Sequence, residues 1–230
     1  VVTRKQLLEE GRENSDENRY LGSKWGAIYL KAPDIYFTIR EKAKNKLVKL
    51  GNIAEVKFGV KTGAHKFFYI PKSNPFNIEE EFLKPVIKSP RESKTILINP
   101  EKLKYWLFVC PYEKEEIKGT NALKYIESGE SYEKYIKQGK DKGKKIKGLQ
   151  NVSTIKGRKL WWALNQDLKS NLFIQMLFND TFKILYSDEK IYGDECLYCI
   201  KSNYSYLHYI LNSSLIFMFI ELNGRANYGE

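Results

Sequence analysis

The amino-acid sequence predicts an α+β fold in which mixed, short-stranded sheets are interspersed with helices. Short apolar runs rich in aromatic and β-branched residues indicate strands, segments with helical spacing lie among them, and glycine or proline separates many of these segments. Of the 230 residues, 42% are hydrophobic and 14% are aromatic, which is enough for a substantial core. We find no internal repeat, so we expect one mixed α+β arrangement.

Two helices are predicted near the N-terminus. Thr3 has the character of an N-cap, Gln6 follows it as in a weak capping box, and Gly11 is placed to end the helix. A second helix is predicted from Asp34 to about Lys46, because an acidic start and a lysine-rich end agree with the helix dipole.

The central feature is the stretch of residues 55–70. Two short apolar runs, at residues 54–58 and 66–70, flank a link that begins at Gly59 and ends at Gly63. This pattern predicts a strand, a loop and a second strand, arranged as a glycine-hinged hairpin with no helix after the loop. Lys61 and Thr62 supply the loop with cationic and hydroxyl groups that suit a phosphate or a base edge.

The rest of the chain is predicted from the same signals. Residues 84–93 contain two prolines and are expected to be an ordered loop. Further strands are predicted at residues 95–99, 104–110, 172–178, 182–186 and 196–200, with polar separators that include residues 188–193. Helical spacing marks residues 121–126 and 132–137, which flank Gly129, and residues 204–222, whose apolar positions predict a broad buried stripe.

The charge distribution is strongly uneven. The formal net charge is +11, and residues 134–159 hold ten lysines and arginines against Asp141 alone. Such a segment favours a polyanionic partner, most plausibly nucleic acid, although a solvated lysine-rich surface would give the same count. Trp161 and Trp162 follow directly, and we expect one of the two to be in the core.

Other classes of function receive weaker support. Asp34, Glu55 and Lys57 fit a loose nuclease pattern in which two carboxylates hold Mg²⁺ and the lysine polarises water, but Asp34 is also an ordinary residue for a helix start. Cys196 and Cys199 have metal-ligand spacing, yet on a strand they would point to opposite faces. No apolar run is long enough to span a bilayer, we expect no signal peptide, and three cysteines favour a reducing, cytoplasmic setting.

Several stretches, taken in order, resemble the TaqI-like C-terminal specificity domain. This domain is found in adenine-specific DNA methyltransferases and in Eco57I-type (type IIG) restriction-modification enzymes. The opening motif of the family is matched by Gly59, Val60, Thr62, Gly63, Phe67 and Phe68. Residues 82–92, 157–164, 211–215 and 223–230 are also similar to the family, so that the resemblance covers residues from about 20 to 230.

The resemblance implies a division of labour in a prokaryotic parent enzyme. A catalytic domain would carry a methyl-donor site and an Asn/Asp-Pro-Pro-Tyr/Phe motif, and neither is in this sequence. Residues 1–50 are then expected to be a linker and helical segment after an absent catalytic domain. Residues 51–230 are expected to be the target-recognition domain, truncated at its C-terminal end. No cofactor is expected in this chain, whereas the parent would use S-adenosylmethionine, with Mg²⁺ as a further candidate.

We therefore predict sequence-specific recognition of double-stranded DNA, with the methyltransferase domain of the same polypeptide as a second partner and no membrane partner. The residues expected at DNA are Lys61, Thr62, Arg91, Lys144, Lys145, Arg158, Arg225 and Asn227, of which Lys144 and Lys145 would contact phosphates. No catalytic or metal-binding residue is expected. The nuclease and a protein-interaction module with incidental charge are the alternatives.

Overall fold

The computed structural model describes residues 3–12, 25–135, 143, 145–177 and 182–224. The chain divides into two compact units, one formed by Leu50–His208 and the other by Val1–Lys49 together with Tyr209–Glu230. A change of unit thus falls next to the predicted boundary at residue 50, while the stretch from Tyr209 onward groups with the N-terminal segment. The roles assigned to the two parts remain predictions.

Eight α-helices and nine strands are found in the described residues. The helices are α1 (Arg4–Arg12), α2 (Trp25–Lys31), α3 (Asp34–Lys42), α4 (Leu50–Ile53), α5 (His65–Phe68), α6 (Asn121–Ser131), α7 (Leu207–Leu211) and α8 (Ser214–Asn223). The strands are β1 (Glu55–Phe58), β2 (Tyr69–Pro71), β3 (Leu83–Ile87), β4 (Tyr105–Phe108), β5 (Glu133–Tyr135), β6 (Lys145–Lys147), β7 (Ser170–Gln175), β8 (Ile184–Gly193) and β9 (Leu197–Lys201). The mixture confirms the predicted α+β class.

The N-terminal helix starts as its sequence predicts. The Thr3 amide donates to Gln6 Oε1 at 2.8 Å and the Gln6 amide donates to Thr3 Oγ1 at 3.3 Å, which is the reciprocal arrangement of a capping box. Within the same compact unit, Tyr36 of α3 is buried and its ring lies 5.1 Å from that of Phe219 on α8. The apolar faces of α3 and α8 therefore share a small core.

The predicted helix over residues 204–222 is two helices. α7 ends at Leu211, and the Ser213 hydroxyl accepts the Ile216 amide at 3.4 Å to cap α8. A serine that caps a new helix interrupts the old one, because its backbone is extended rather than helical. The predicted stripe is also incomplete: Leu211 is buried, but Ile210 is 48% exposed.

A seven-stranded sheet forms the centre of the larger unit, with the strand order β1-β9-β7-β8-β3-β4-β2. β3 and β8 pair in parallel, and the other neighbouring pairs are antiparallel. β5 and β6 form a separate two-stranded ribbon. The three strands predicted from residues 172–200 are confirmed, although β8 continues to Gly193 through residues expected to be a separator.

The prediction of a hairpin at residues 55–70 is wrong. β1 forms as expected, but the second run is a single helical turn, α5, followed by the three-residue strand β2. β1 and β2 then lie at opposite edges of the sheet. The physical reason is burial: Phe67 and Phe68 are consecutive and both at least 95% buried, whereas neighbouring residues of a strand face opposite sides.

Two further predictions around the sheet need correction. Residues 84–93 are not only a loop, because β3 runs through Pro85. Proline is tolerated there since the parallel ladder to β8 begins only at Val86. Residues 95–99 contain no strand and make only a bridge between Leu97 and Tyr186.

Helix α6 continues through Gly129, the glycine that was expected to separate two helices. An added Cβ at Gly129 would lie 2.6 Å from the Trp161 ring and 2.9 Å from the Phe67 ring. Glycine therefore serves close packing here and not chain reversal. The second predicted helix, at residues 132–137, is instead the strand β5 as far as Tyr135.

The main core lies where α5 and α6 meet the sheet. The Phe67 ring stacks on Tyr125 at 4.5 Å between centroids and lies 4.8 Å from that of Trp161. Trp161 and Trp162 are both buried, so the expectation that only one would be in the core is wrong. Their rings are perpendicular and the segment is a turn rather than a strand, so neighbours need not face opposite sides.

Candidate nucleic-acid interface

The link between β1 and α5, residues 59–64, is held by the end of β8 and the start of β9. The Gly59 amide donates to Leu197 O at 2.9 Å and the Val60 amide donates to Gly193 O at 2.8 Å. A Cβ at Gly59 would lie only 2.0 Å from the backbone oxygen of Asp194. Two backbones meet here at a distance that excludes any side chain, so glycine is required at this position.

The opposite side of residues 59–64 is held by the end of the lysine-rich segment. Arg158 Nη2 donates to Lys61 O at 2.9 Å and to Thr62 O at 3.2 Å, and Thr154 Oγ1 donates to Gly63 O at 3.2 Å. Gly63 has a φ of +73°, a conformation that favours glycine. The structure therefore brings together three of the predicted DNA residues: Lys61, Thr62 and Arg158.

These three side chains are placed very differently. Lys61 is exposed, and its Nζ lies 5.1 Å from the centre of the Phe58 ring. Thr62 is fully buried, and its Oγ1 has no partner among the described atoms. Contrary to expectation, the Thr62 side chain does not face outward to a ligand. Arg158 is half-buried near the Phe68 ring, and burial lowers the pKa of its guanidinium.

The other predicted DNA residues lie elsewhere or outside the described residues. Arg91 is exposed in a short 3₁₀ turn, Pro90–Glu92. Lys145 lies on β6, where its Nζ pairs with Glu133 Oε2 at 2.7 Å and this contact lowers the pKa of the Glu133 carboxyl. Lys144, Arg225 and Asn227 lie outside the described residues.

Sequence reasoning missed a buried polar pair next to the 59–64 link. The Tyr69 hydroxyl donates to the Asp194 carboxylate, and both residues are at least 95% buried. Burial first, and then the bond to Asp194, raises the pKa of Tyr69 far above its usual range. The second carboxylate oxygen accepts the Cys196 amide at 3.1 Å. The partners are 125 residues apart, so no local sequence signal could have paired them.

The geometry does not favour the metal-dependent nuclease. Lys57 Nζ pairs with Glu55 at 2.6 Å, which raises the pKa of the lysine, and Asp34 lies in the first turn of α3, where an acidic residue is ordinary. No group of three histidine, cysteine, aspartate or glutamate side chains in the described residues could hold a metal ion. Of the two cysteines with metal-ligand spacing, Cys196 is exposed and Cys199 is buried.

Among the residues that the structure describes, no helix is long and apolar enough to cross a bilayer. His208 stacks on Tyr186 with 4.2 Å between ring centres, and its Nδ1 lies 2.9 Å from Ser205 O.

A family model matches most of the chain. The family model described as "Type II methyltransferase M.Eco57I, C-terminal domain" matches residues 22–230. Type II methyltransferase M.AccI from Acinetobacter calcoaceticus is 32% identical over 116 residues, which cover 48% of this chain and 20% of that protein. The chain is also similar to the solved type IIG restriction endonuclease BpuSI, with a TM-score of 0.49, 14% identity, and coverage of 94% of this chain and 28% of BpuSI.

Proposed function

We propose, because the chain belongs to the C-terminal domain family of type II methyltransferase M.Eco57I, that it recognises a specific sequence in double-stranded DNA. The observation that carries this proposal is the meeting of the exposed Lys61 with the end of the lysine-rich segment on one side of the larger unit. Cationic side chains at a rigid loop are suited to phosphate contacts, which fix the register from which neighbouring groups read base edges.

Electrostatics support a polyanionic partner. The net charge of +11 is concentrated in residues 134–159, and Lys156 and Lys159 are exposed at the end of this segment that meets residues 59–64. Some of this charge is already paired, since Lys159 contacts Glu113 at 3.2 Å and Lys145 contacts Glu133. Surface ion pairs of this kind are weak because water and salt screen them, so a phosphate can displace the carboxylate.

The role of the whole protein is part of the same proposal. A methyltransferase domain of the same polypeptide would bind S-adenosylmethionine and modify adenine, while this domain selects the site. The 59–64 link does not provide a site for the methyl donor. Residues 59–63 are packed between Asp194 and Thr154 and lead into a four-residue helix, which leaves no cradle for a nucleoside.

Duplex binding should weaken steeply as salt rises, and fluorescence anisotropy measures this directly. The logarithm of the association constant should fall linearly with the logarithm of salt concentration, by ~0.9 for each phosphate contact on B-DNA. Replacing Lys144 and Lys145 by alanine together should reduce that slope by about 1 to 2. The smaller loss is expected if Lys145 stays paired with Glu133 in the complex with DNA.

The matched control removes the same charge from the other compact unit. Lys44 and Lys46 are exposed there, and their double alanine variant should keep the wild-type slope. An unchanged slope in the Lys144 and Lys145 variant would refute their phosphate role alone. Salt-insensitive binding, or no binding to any duplex, would refute DNA recognition and favour the protein-interaction alternative.

A further inference from the structure

We infer that Arg158 is a positioning residue for DNA recognition: it fixes the 59–64 link so that Lys61 is presented to the DNA, and it does not itself contact the DNA. This inference rests on the proposed function. It revises the expectation that Arg158 and Lys61 are independent DNA contacts.

The guanidinium of Arg158 is directed inward to the backbone. One nitrogen, Nη2, donates to two consecutive carbonyls, those of Lys61 and Thr62. These two bonds restrain two consecutive peptide groups, Lys61–Thr62 and Thr62–Gly63, because each peptide is planar and turns together with its carbonyl oxygen. The direction in which the Lys61 side chain leaves the backbone is thereby set.

The same guanidinium has little left to offer a ligand. Its other terminal nitrogen, Nη1, is closed off from solvent and has no partner among the described atoms, and its Cζ lies 5.9 Å from the Phe68 ring centre. Bidentate recognition of phosphate or guanine needs two guanidinium nitrogens facing the ligand, at least one of them terminal, and here Nη1 is closed off while Nη2 already donates to two carbonyls. In this structure Arg158 faces the protein, which separates its role from that of an exposed arginine such as Arg91.

The remaining contacts of the link point to the same arrangement. Thr154 holds Gly63 O, and Gly193 O accepts the Val60 amide from the other side. With Val60 and Thr62 both buried, Lys61 is the exposed, charged side chain between two anchored neighbours. A cation held in this way loses less conformational entropy when it binds a phosphate than a freely moving lysine does.

Lysine at position 158 separates the two possible roles. Arg158→Lys keeps the positive charge, but its ammonium lies on a shorter stem and does not reach the position of Nη2 against both carbonyls. If Arg158 contacted phosphate, the lysine variant would keep most of the salt dependence. If Arg158 positions Lys61, the lysine variant should lose as much of the salt slope as Lys61→Ala does.

The test measures anisotropy salt slopes for the wild type, Lys61→Ala, Arg158→Lys and the double variant. We expect Lys61→Ala to lower the slope by about 1, Arg158→Lys to lower it by a similar amount, and the double variant to show no further loss. Arg12→Lys, an exposed arginine in the other compact unit, is the matched control and should keep the wild-type slope. Circular dichroism at each salt concentration verifies that all variants are folded.

A neutral variant gives an independent readout. Thr154→Val removes the bond to Gly63 O without changing any charge. We expect the salt slope to fall in this variant as well, and such a fall can arise only because the position of Lys61 has changed. A wild-type slope and affinity in Arg158→Lys, additive losses in the double variant, or no effect of Lys61→Ala would overturn the inference. Absence of duplex binding by the wild type would instead overturn the proposed function on which it rests.

Discussion

Replacing Gly59 by alanine should destabilise the larger unit by more than ~3 kcal/mol, beyond the usual range for an inserted methyl group. The added Cβ would lie 2.0 Å from Asp194 O, 2.6 Å from Asp194 C and 2.6 Å from Gly193 O. All three are backbone atoms, so no side-chain rotation can relieve the contact. β1 and the end of β8 would have to separate. Urea unfolding followed by circular dichroism measures the loss.

Gly51→Ala is the matched control for this substitution. Gly51 lies in α4, and an added Cβ there meets no atom within 4 Å. Alanine is the better helix former by about 0.5–1 kcal/mol, so this variant should be as stable as the wild type or slightly more so. Equal unfolding midpoints for Gly59→Ala and the wild type would contradict the close approach of the two backbones.

Tyr69→Phe should lower the free energy of unfolding by about 2–3 kcal/mol, because it leaves a buried carboxylate without one of its donors. Asp194 is 5% exposed, and Cys196 also donates to this carboxylate, through its amide at 3.1 Å and through its thiol. Since Asp194 adjoins Gly59 and Val60, the same variant should also loosen the 59–64 link. Thermal and urea unfolding measure the first effect, and amide hydrogen exchange at residues 59–64 measures the second.

Two comparisons make this result specific. Tyr125→Phe also removes a buried hydroxyl, but its acceptor is the neutral carbonyl of Phe67 at 2.8 Å, so the loss should be only about 1 kcal/mol. In an Asp194→Asn background, the cost of Tyr69→Phe should fall to a similar value, because no buried charge is left unpaired. A cost that does not change in that background would show that Tyr69 acts through packing alone.

The strands were predictable where one apolar run makes one strand. β7 and β9 follow this pattern, and the Thr3–Gln6 capping box could be read directly from four consecutive residues. Residues 66–70 failed because a short apolar run fits a strand and a buried helical turn equally well. Packing in the core favours the helical turn, because a helical turn buries both Phe67 and Phe68.

The candidate interface was predictable in part. The sequence indicates a basic, glycine-bounded link, and the exposure of Lys61 agrees with that. It could not indicate that Arg158 binds Lys61 O from 97 residues away, or that Thr62 would be buried by the fold. The motif glycines and aromatics thus serve the architecture: Gly59 and Gly63 permit close contacts, and Phe67 and Phe68 fill the core.

The central claim is that this domain selects a DNA sequence, and selection from a randomised duplex pool tests it most directly. The chain is immobilised, the pool is bound at near-physiological salt, and the retained duplexes are sequenced over successive rounds. A specific reader should enrich one short motif, because each wrong base pair costs about 1–3 kcal/mol. A pool whose composition stays unchanged while duplexes are still retained would show charge-driven binding without sequence recognition, and would contradict the account.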